Sequence, residues 1–153
     1  MSLLAIDVGA GTQDILLYDQ EVPLEGSTKM ILPSQTSLVG NRINRARMMG
    51  RDIFLCGPTM GGGSSTAAVR WHLAAGLGVS ATPTAAATIN DDLEKAAALG
   101  VVICDEPPSQ ALKVKTGDID IAALKKAFAL FDLDLPPDIA VAVQDHGFSP
   151  YKS

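Results

Sequence analysis

Asp7-Val8-Gly9-Ala10-Gly11-Thr12-Gln13-Asp14 decides how this chain is read. It lies between two apolar runs, Leu3-Leu4-Ala5-Ile6 and Ile15-Leu16-Leu17-Tyr18. Both runs have strand composition, and the residues between them are turn-formers. The spacing predicts a β-hairpin with two glycines, a threonine and a glutamine at its tip and an aspartate on either side. Glycine lets backbone approach an anion closely and direct N–H groups at it. Gly9 and Gly11 are therefore candidate phosphate contacts, with Thr12 and Gln13 adding side-chain donors. Asp7 and Asp14 are candidates to hold a hydrated Mg²⁺ against bound phosphate. A plain hairpin would use the glycines too, so it is the coincidence of features that carries the reading. A Rossmann fingerprint needs a helix after the glycines, and Ile15 to Tyr18 has strand composition. A Walker A loop needs a Gly-Lys-Ser/Thr that does not follow.

Working outward, the first third reads as strands. A turn-rich link from Asp19 to Ser27 leads to Lys29-Met30-Ile31-Leu32, which is stopped by Pro33-Ser34. A helix is predicted over 37–50 and a strand over 52–56, closed by Gly57-Pro58. The middle alternates: helix 66–75 with Gly76 at its end, strand 79–82, a helix capped at Asn90-Asp91-Asp92, and strand 101–104. A short edge strand is expected over 113–116. Helix 118–131 then places Ile121, Leu124, Phe128 and Phe131 on one face. Ile139 to Val143 is the last strand, with Gln144-Asp145-His146-Gly147 just beyond it. A β-meander followed by alternating helices and strands predicts an α/β fold, a mixed sheet with helices on its faces. No internal domain boundary is evident in the composition.

The 153 residues suffice for a sizeable core. Only 5% are aromatic, so Ala, Leu, Val and Ile must build it. Mean hydropathy is +0.22 and formal net charge −5. An acidic chain argues against a general nucleic-acid binder without excluding a local basic patch. Arg42, Arg45, Arg47 and Arg51 form such a cluster, either a solvated helix face or a contact for phosphate or a partner. Cys56 and Cys104 each end an apolar run and read as thiols rather than a disulfide. The start has no basic n-region and its apolar run is broken by Asp7. No stretch approaches the ~20 apolar residues of a membrane helix. A cytoplasmic chain with no membrane partner is expected.

The pattern Asp7-x-Gly-x-Gly-Thr-x-Asp14 resembles the first phosphate motif of the actin-like ATPase superfamily, which includes sugar kinases, Hsp70 chaperones and actin. More narrowly, Ala5 to Ile15, followed by Lys29-Met30-Ile31-Leu32-Pro33-Ser34 and the closing Val143-Gln144-Asp145-His146-Gly147, resembles the family DUF1786. Some of its members are named for pyruvate formate-lyase activation. Such activating enzymes are radical-SAM proteins with a Cys-x3-Cys-x2-Cys cluster motif. Two cysteines 48 residues apart cannot ligate that iron–sulfur cluster, so none is expected.

The resemblance implies a ribonuclease-H-like fold over 1–153 as a single N-terminal lobe, with the nucleotide between it and a second lobe. No second phosphate hairpin follows Asp14, and family members are roughly twice as long. The chain is thus expected to be a first half, either truncated or split. A second actin-like lobe or a homodimer partner would complete it. ATP and Mg²⁺ are the implied ligands, and the complete protein would be an ATPase or a small-molecule kinase. Half a clamp should bind nucleotide weakly.

Gln144 and Asp145 are the candidate catalytic residues. They follow a strand, where α/β sheets gather functional groups. The resemblance implies a water-orienting Gln or an activating Asp at a comparable position; Asp145 as general base and Gln144 as water-positioner are the roles considered. Met60-Gly61-Gly62-Gly63-Ser64-Ser65-Thr66 leads into a helix and is either an anion site or a capped connection. His72 reads as a helix-face residue and Trp71 as packing or an interface anchor. Two other functions compete. A metal-dependent nuclease would gather Asp7, Asp105 or Glu106, and Asp145. A non-catalytic assembly module would bind nucleotide without turning it over.

Overall fold

A computed structural model of the chain describes residues 1–144. The strands divide between two sheets, in two compact units. The first unit joins Met1–Ser34 to Ile119–Gln144, and the second is the continuous stretch Gln35–Asp118 between them in sequence.

In the first unit, β1 (Ser2–Val8) and β2 (Thr12–Asp19) form the expected antiparallel hairpin. β3 (Thr28–Pro33) pairs antiparallel with β2. The last strand of the chain, β8 (Ile139–Ala142), pairs parallel with β1, giving the order β3-β2-β1-β8. Strand alternation sends Leu4, Ile6 and Ile15 to one face, where they are buried with Leu124 and Phe128 of α5 (Ile121–Ala129). The Asp120 carboxylate caps α5 by accepting the Ala123 N–H at 3.0 Å. Four apolar residues were expected on one face of this helix; only two are buried. Ile121 is the first helical residue and stays 42% exposed. Phe131 lies beyond the helix, where the 3.6-residue period no longer applies, and is 68% exposed.

In the second unit, α1 (Gln35–Met48) precedes β4 (Ile53–Cys56), and α2 (Gly63–Ala74) connects β4 to β5 (Val79–Ala81). Two short helices, α3 (Pro83–Ala86) and α4 (Leu93–Ala98), lead to β6 (Val101–Ile103). β7 (Leu112–Lys115) completes an all-parallel sheet in the order β6-β5-β4-β7. Ile53-Phe54-Leu55 and Val79-Ser80-Ala81 are buried throughout, the pattern of parallel strands covered on both faces. Val39 and Ile43 of α1 and Ala68 and Val69 of α2 supply much of the remaining core. α3 was not expected from the sequence; Thr82 caps it through the Ala85 N–H, and Pro83 opens it.

Candidate functional site

The β1–β2 hairpin places Asp7 directly opposite Asp14. Alternation turns both away from the core that holds Ile6 and Ile15, and both are exposed. Neither carboxylate has a hydrogen-bond or ion-pair partner among the described residues. Like charges facing each other across an antiparallel pair are destabilising, by roughly 0.2–1 kcal/mol. The fold thus keeps an unfavourable pair with no structural return.

Around the two aspartates the face is apolar and open. Ala5, Leu16, Ile31 and Ala142 border a depression of about 670 Å³ that Asp7 and Asp14 also line. Ile31 is 72% exposed there. Lys29, paired with Leu16, puts one positive charge on the same side. β8 ends beside the carboxylates, because Ala142 is the register partner of Asp7. Gln144 follows two residues later and is exposed. Asp145 and His146 lie outside the described residues.

The tip is Gly9-Ala10-Gly11. The Gly9 N–H donates to the Thr12 carbonyl at 2.9 Å, and a Cβ on Gly9 would come within 3.0 Å of that oxygen. The turn therefore favours glycine at position 9, where a side chain would crowd the Thr12 carbonyl. Gly11 differs: a Cβ there would meet nothing within 4 Å. Its φ is not in the left-handed region either, and the space beside it is open. Ser34 fixes the tip's orientation. Its hydroxyl donates to the Ala10 carbonyl at 2.9 Å and its N–H to the Gly11 carbonyl at 3.0 Å. Because trans peptides are planar, this turns the Gly11 and Thr12 N–H groups to the opposite side. The sequence reading treated Ser34 only as a strand stop; a serine after Pro33 carries no local sign of a contact 24 residues back.

Thr12 is exposed at the tip. Gln13, expected beside it as a phosphate donor, points inward. It is 2% exposed, and its Nε2 donates to the Pro33 carbonyl at 2.9 Å. Its Oε1 is buried with no partner. The cause is parity: in a strand, Gln13 shares the face of Ile15, while Thr12 shares the face of Asp14.

Elsewhere, the glycine-rich approach to α2 is already engaged by an acid. The Gly61 N–H donates to the Asp118 carboxylate at 3.1 Å, and the Thr36 and Ser65 hydroxyls both donate to the Gly62 carbonyl. A carboxylate at that place disfavours a second anion. His72 is fully buried in the second unit, and neither ring nitrogen makes a hydrogen bond of good geometry. Burial holds its pKa below the ordinary 6.5. Backbone at Ile43 and Arg51 and the Asp52 carboxylate pull the other way, and Arg47 adds to the lowering. Cys56 and Cys104 are free thiols at the ends of β4 and β6. Asp105 and Glu106 follow β6, so they do not share a sheet with Asp7. Among the described residues no three His, Cys, Asp or Glu side chains group as a metal site. No helix among them is long and apolar enough to cross a membrane.

Fold and site together define an α/β protein with a carboxylate-flanked glycine hairpin at the edge of an open sheet face. Residues 60–153 match the family model described as "Putative pyruvate format-lyase activating enzyme (DUF1786)". The chain belongs to the DUF1786 family. No curated protein and no solved structure matches it.

Proposed function

We propose that this chain is the phosphate-binding lobe of an actin-like nucleotide-binding protein that takes Mg-ATP. The observation that carries the reading is the pair Asp7 and Asp14, directly opposite each other on an exposed face and unpartnered among the described residues, beside a glycine-bearing tip. The order β3-β2-β1-β8, an antiparallel meander with a parallel fourth strand preceded by a helix, agrees with a ribonuclease-H-like lobe. In this reading the exposed hairpin tip and the Thr12 hydroxyl face phosphate oxygens, and Lys29 offsets part of their charge. Asp7 and Asp14 hold Mg²⁺ through water, since two carboxylates suit a cation that keeps most of its hydration shell. Bound Mg²⁺ would neutralise charge on the phosphates. Gln144, two residues past the end of β8, and Asp145, next to it in sequence, are the residues this reading assigns to orient or deprotonate the acceptor, water or a small molecule. Gln13 braces the hairpin through Pro33 rather than touching ligand. The adenosine side of the site comes from a second lobe, supplied by a further chain segment, another polypeptide or a second copy. The two cysteines of these 153 residues do not by themselves supply the three ligands of a radical-SAM cluster.

The test is calorimetric titration of Mg-ATP into the chain and into Asp7→Asn and Asp14→Asn. Weak binding that requires Mg²⁺ and falls at least tenfold in each variant, a loss of about 1.4 kcal/mol, is expected. Equal affinity in all three proteins, or affinity indifferent to Mg²⁺, would remove the aspartates from the site.

A further inference from the structure

The chain's charge is divided unevenly. All five of its arginines lie between Arg42 and Arg70, and Asp52 is the only acid between Gly26 and Asn90. The Asp52 carboxylate is itself engaged, accepting the Gly78 N–H at 2.7 Å. Helices α1 and α2 thus carry Arg42, Arg45, Arg47 and Arg70 with no carboxylate, in a chain whose net charge is −5. None of these arginines forms an ion pair among the described residues.

Between the two helices runs a groove of about 300 Å³, lined by Asn41, Asn44, Ser64 and Trp71 among others. Gly40 lets the helices meet there, since a Cβ on it would stand 3.1 Å from the Ser64 carbonyl. Trp71, the chain's only tryptophan, is 55% exposed, and the Arg47 guanidinium lies 5.9 Å from its ring centroid. Asn41 is exposed on the groove wall. Helical spacing puts Arg45 one turn from Asn41, and Arg70 three residues from Ala67 on the groove's other wall.

We infer that this groove binds single-stranded nucleic acid, with a base stacked on Trp71 and flanking phosphates on the arginines. Each part of the site answers one part of that ligand. An exposed indole backed by a guanidinium is a stacking platform. The exposed Asn41 amide offers both a donor and an acceptor to a base edge. Arginines without competing carboxylates take phosphates bidentately. An acidic protein segment would satisfy the arginines but brings no planar base to stack on the exposed Trp71 ring. The inference is independent of the nucleotide reading, which rests on the other unit.

The experiment follows Trp71 emission while a single-stranded DNA of about fifteen nucleotides is added to the full chain at low salt. Because Trp71 is the only tryptophan, quenching reports this groove alone. Quenching is expected, with an affinity that falls as salt rises. The double variant Arg45→Ala/Arg70→Ala should weaken binding on the order of tenfold and flatten the salt slope by about 0.7 per arginine. Both residues are exposed, so its circular dichroism and Mg-ATP affinity should match the parent. Trp71→Phe keeps a stacking ring and should retain most of the binding of labelled DNA, whereas Trp71→Ala should lose it. No quenching, or DNA binding indifferent to the arginines, overturns the inference. Tighter arginine-dependent binding of polyglutamate than of DNA overturns it in favour of an acidic protein partner.

Discussion

Replacing His72 with leucine should stabilise this protein and remove a pH dependence. The ring is fully buried, and neither nitrogen has a hydrogen bond of good geometry, only weak approaches to backbone at Ile43 and Arg51. A buried, unpaired polar group costs about 1–3 kcal/mol. Leucine is of similar size and has no polar atom, so a net gain of about 1–2 kcal/mol is expected after imperfect packing is allowed for. For a chain of this length that corresponds to a rise in Tm of about 2–4 °C per kcal/mol. Burial holds the folded pKa below 6.5, whereas the unfolded histidine titrates near its ordinary value. Between those two values the unfolded chain binds more protons, so stability rises with pH there. The parent is therefore fully stable above about pH 6.5 and loses stability as pH falls from there to the folded pKa. The loss amounts to about 1.4 kcal/mol for each pH unit separating the two values. Chemical denaturation followed by Trp71 emission reports on the same helix. The reasoning fails if His72→Leu is less stable than the parent at about pH 7.5, or if it keeps the parent's slope below pH 6.5.

Three further outcomes follow from the geometry. Asp14→Asn removes like-charge repulsion across the hairpin and should raise stability by up to about 1 kcal/mol while abolishing any Mg²⁺-dependent rise in Tm; a lower Tm without Mg²⁺ would count against a strained pair. Gly57→Ala should destabilise the second unit by more than about 2 kcal/mol, because φ is 126° and the new Cβ would stand 2.5 Å from the Thr116 carbonyl. An unchanged denaturation midpoint would contradict that contact. Phe128→Ala should cost about 3–5 kcal/mol, since the ring is 1% exposed in the first unit's core. Its readout is loss of hydrogen-exchange protection at β1 amides such as Leu4 and Ile6.

The hairpin was legible because its signals are local. Two apolar runs, glycines between them and period-two alternation fix β1 and β2, and they also fix that Asp7 and Asp14 share a face. The same parity, applied to Gln13, would have turned it inward; composition drew it to the phosphate side, and strand register excludes it from that face. The helix start at Asp92 was readable as a cap, whereas α5, expected over 118–131, starts only after Asp120 and ends before Phe131. Ser34 was not readable, because its role depends on a contact with Ala10 and Gly11 across 24 residues.

By itself, the sequence determined the α/β class, the glycine hairpin, its pair of acids and the concentration of arginine between residues 42 and 70. These follow from neighbours along the chain, where spacing alone sets geometry. Only the tertiary structure decided that the strands form two sheets and that β8 returns to lie parallel with β1, beside Asp7. Only it decided that α1 and α2 close around a groove at Trp71. Those pairings join segments separated by up to 135 residues, as Leu4 and Ile139 are, and are selected by which apolar faces bury best together. No local pattern encodes that choice.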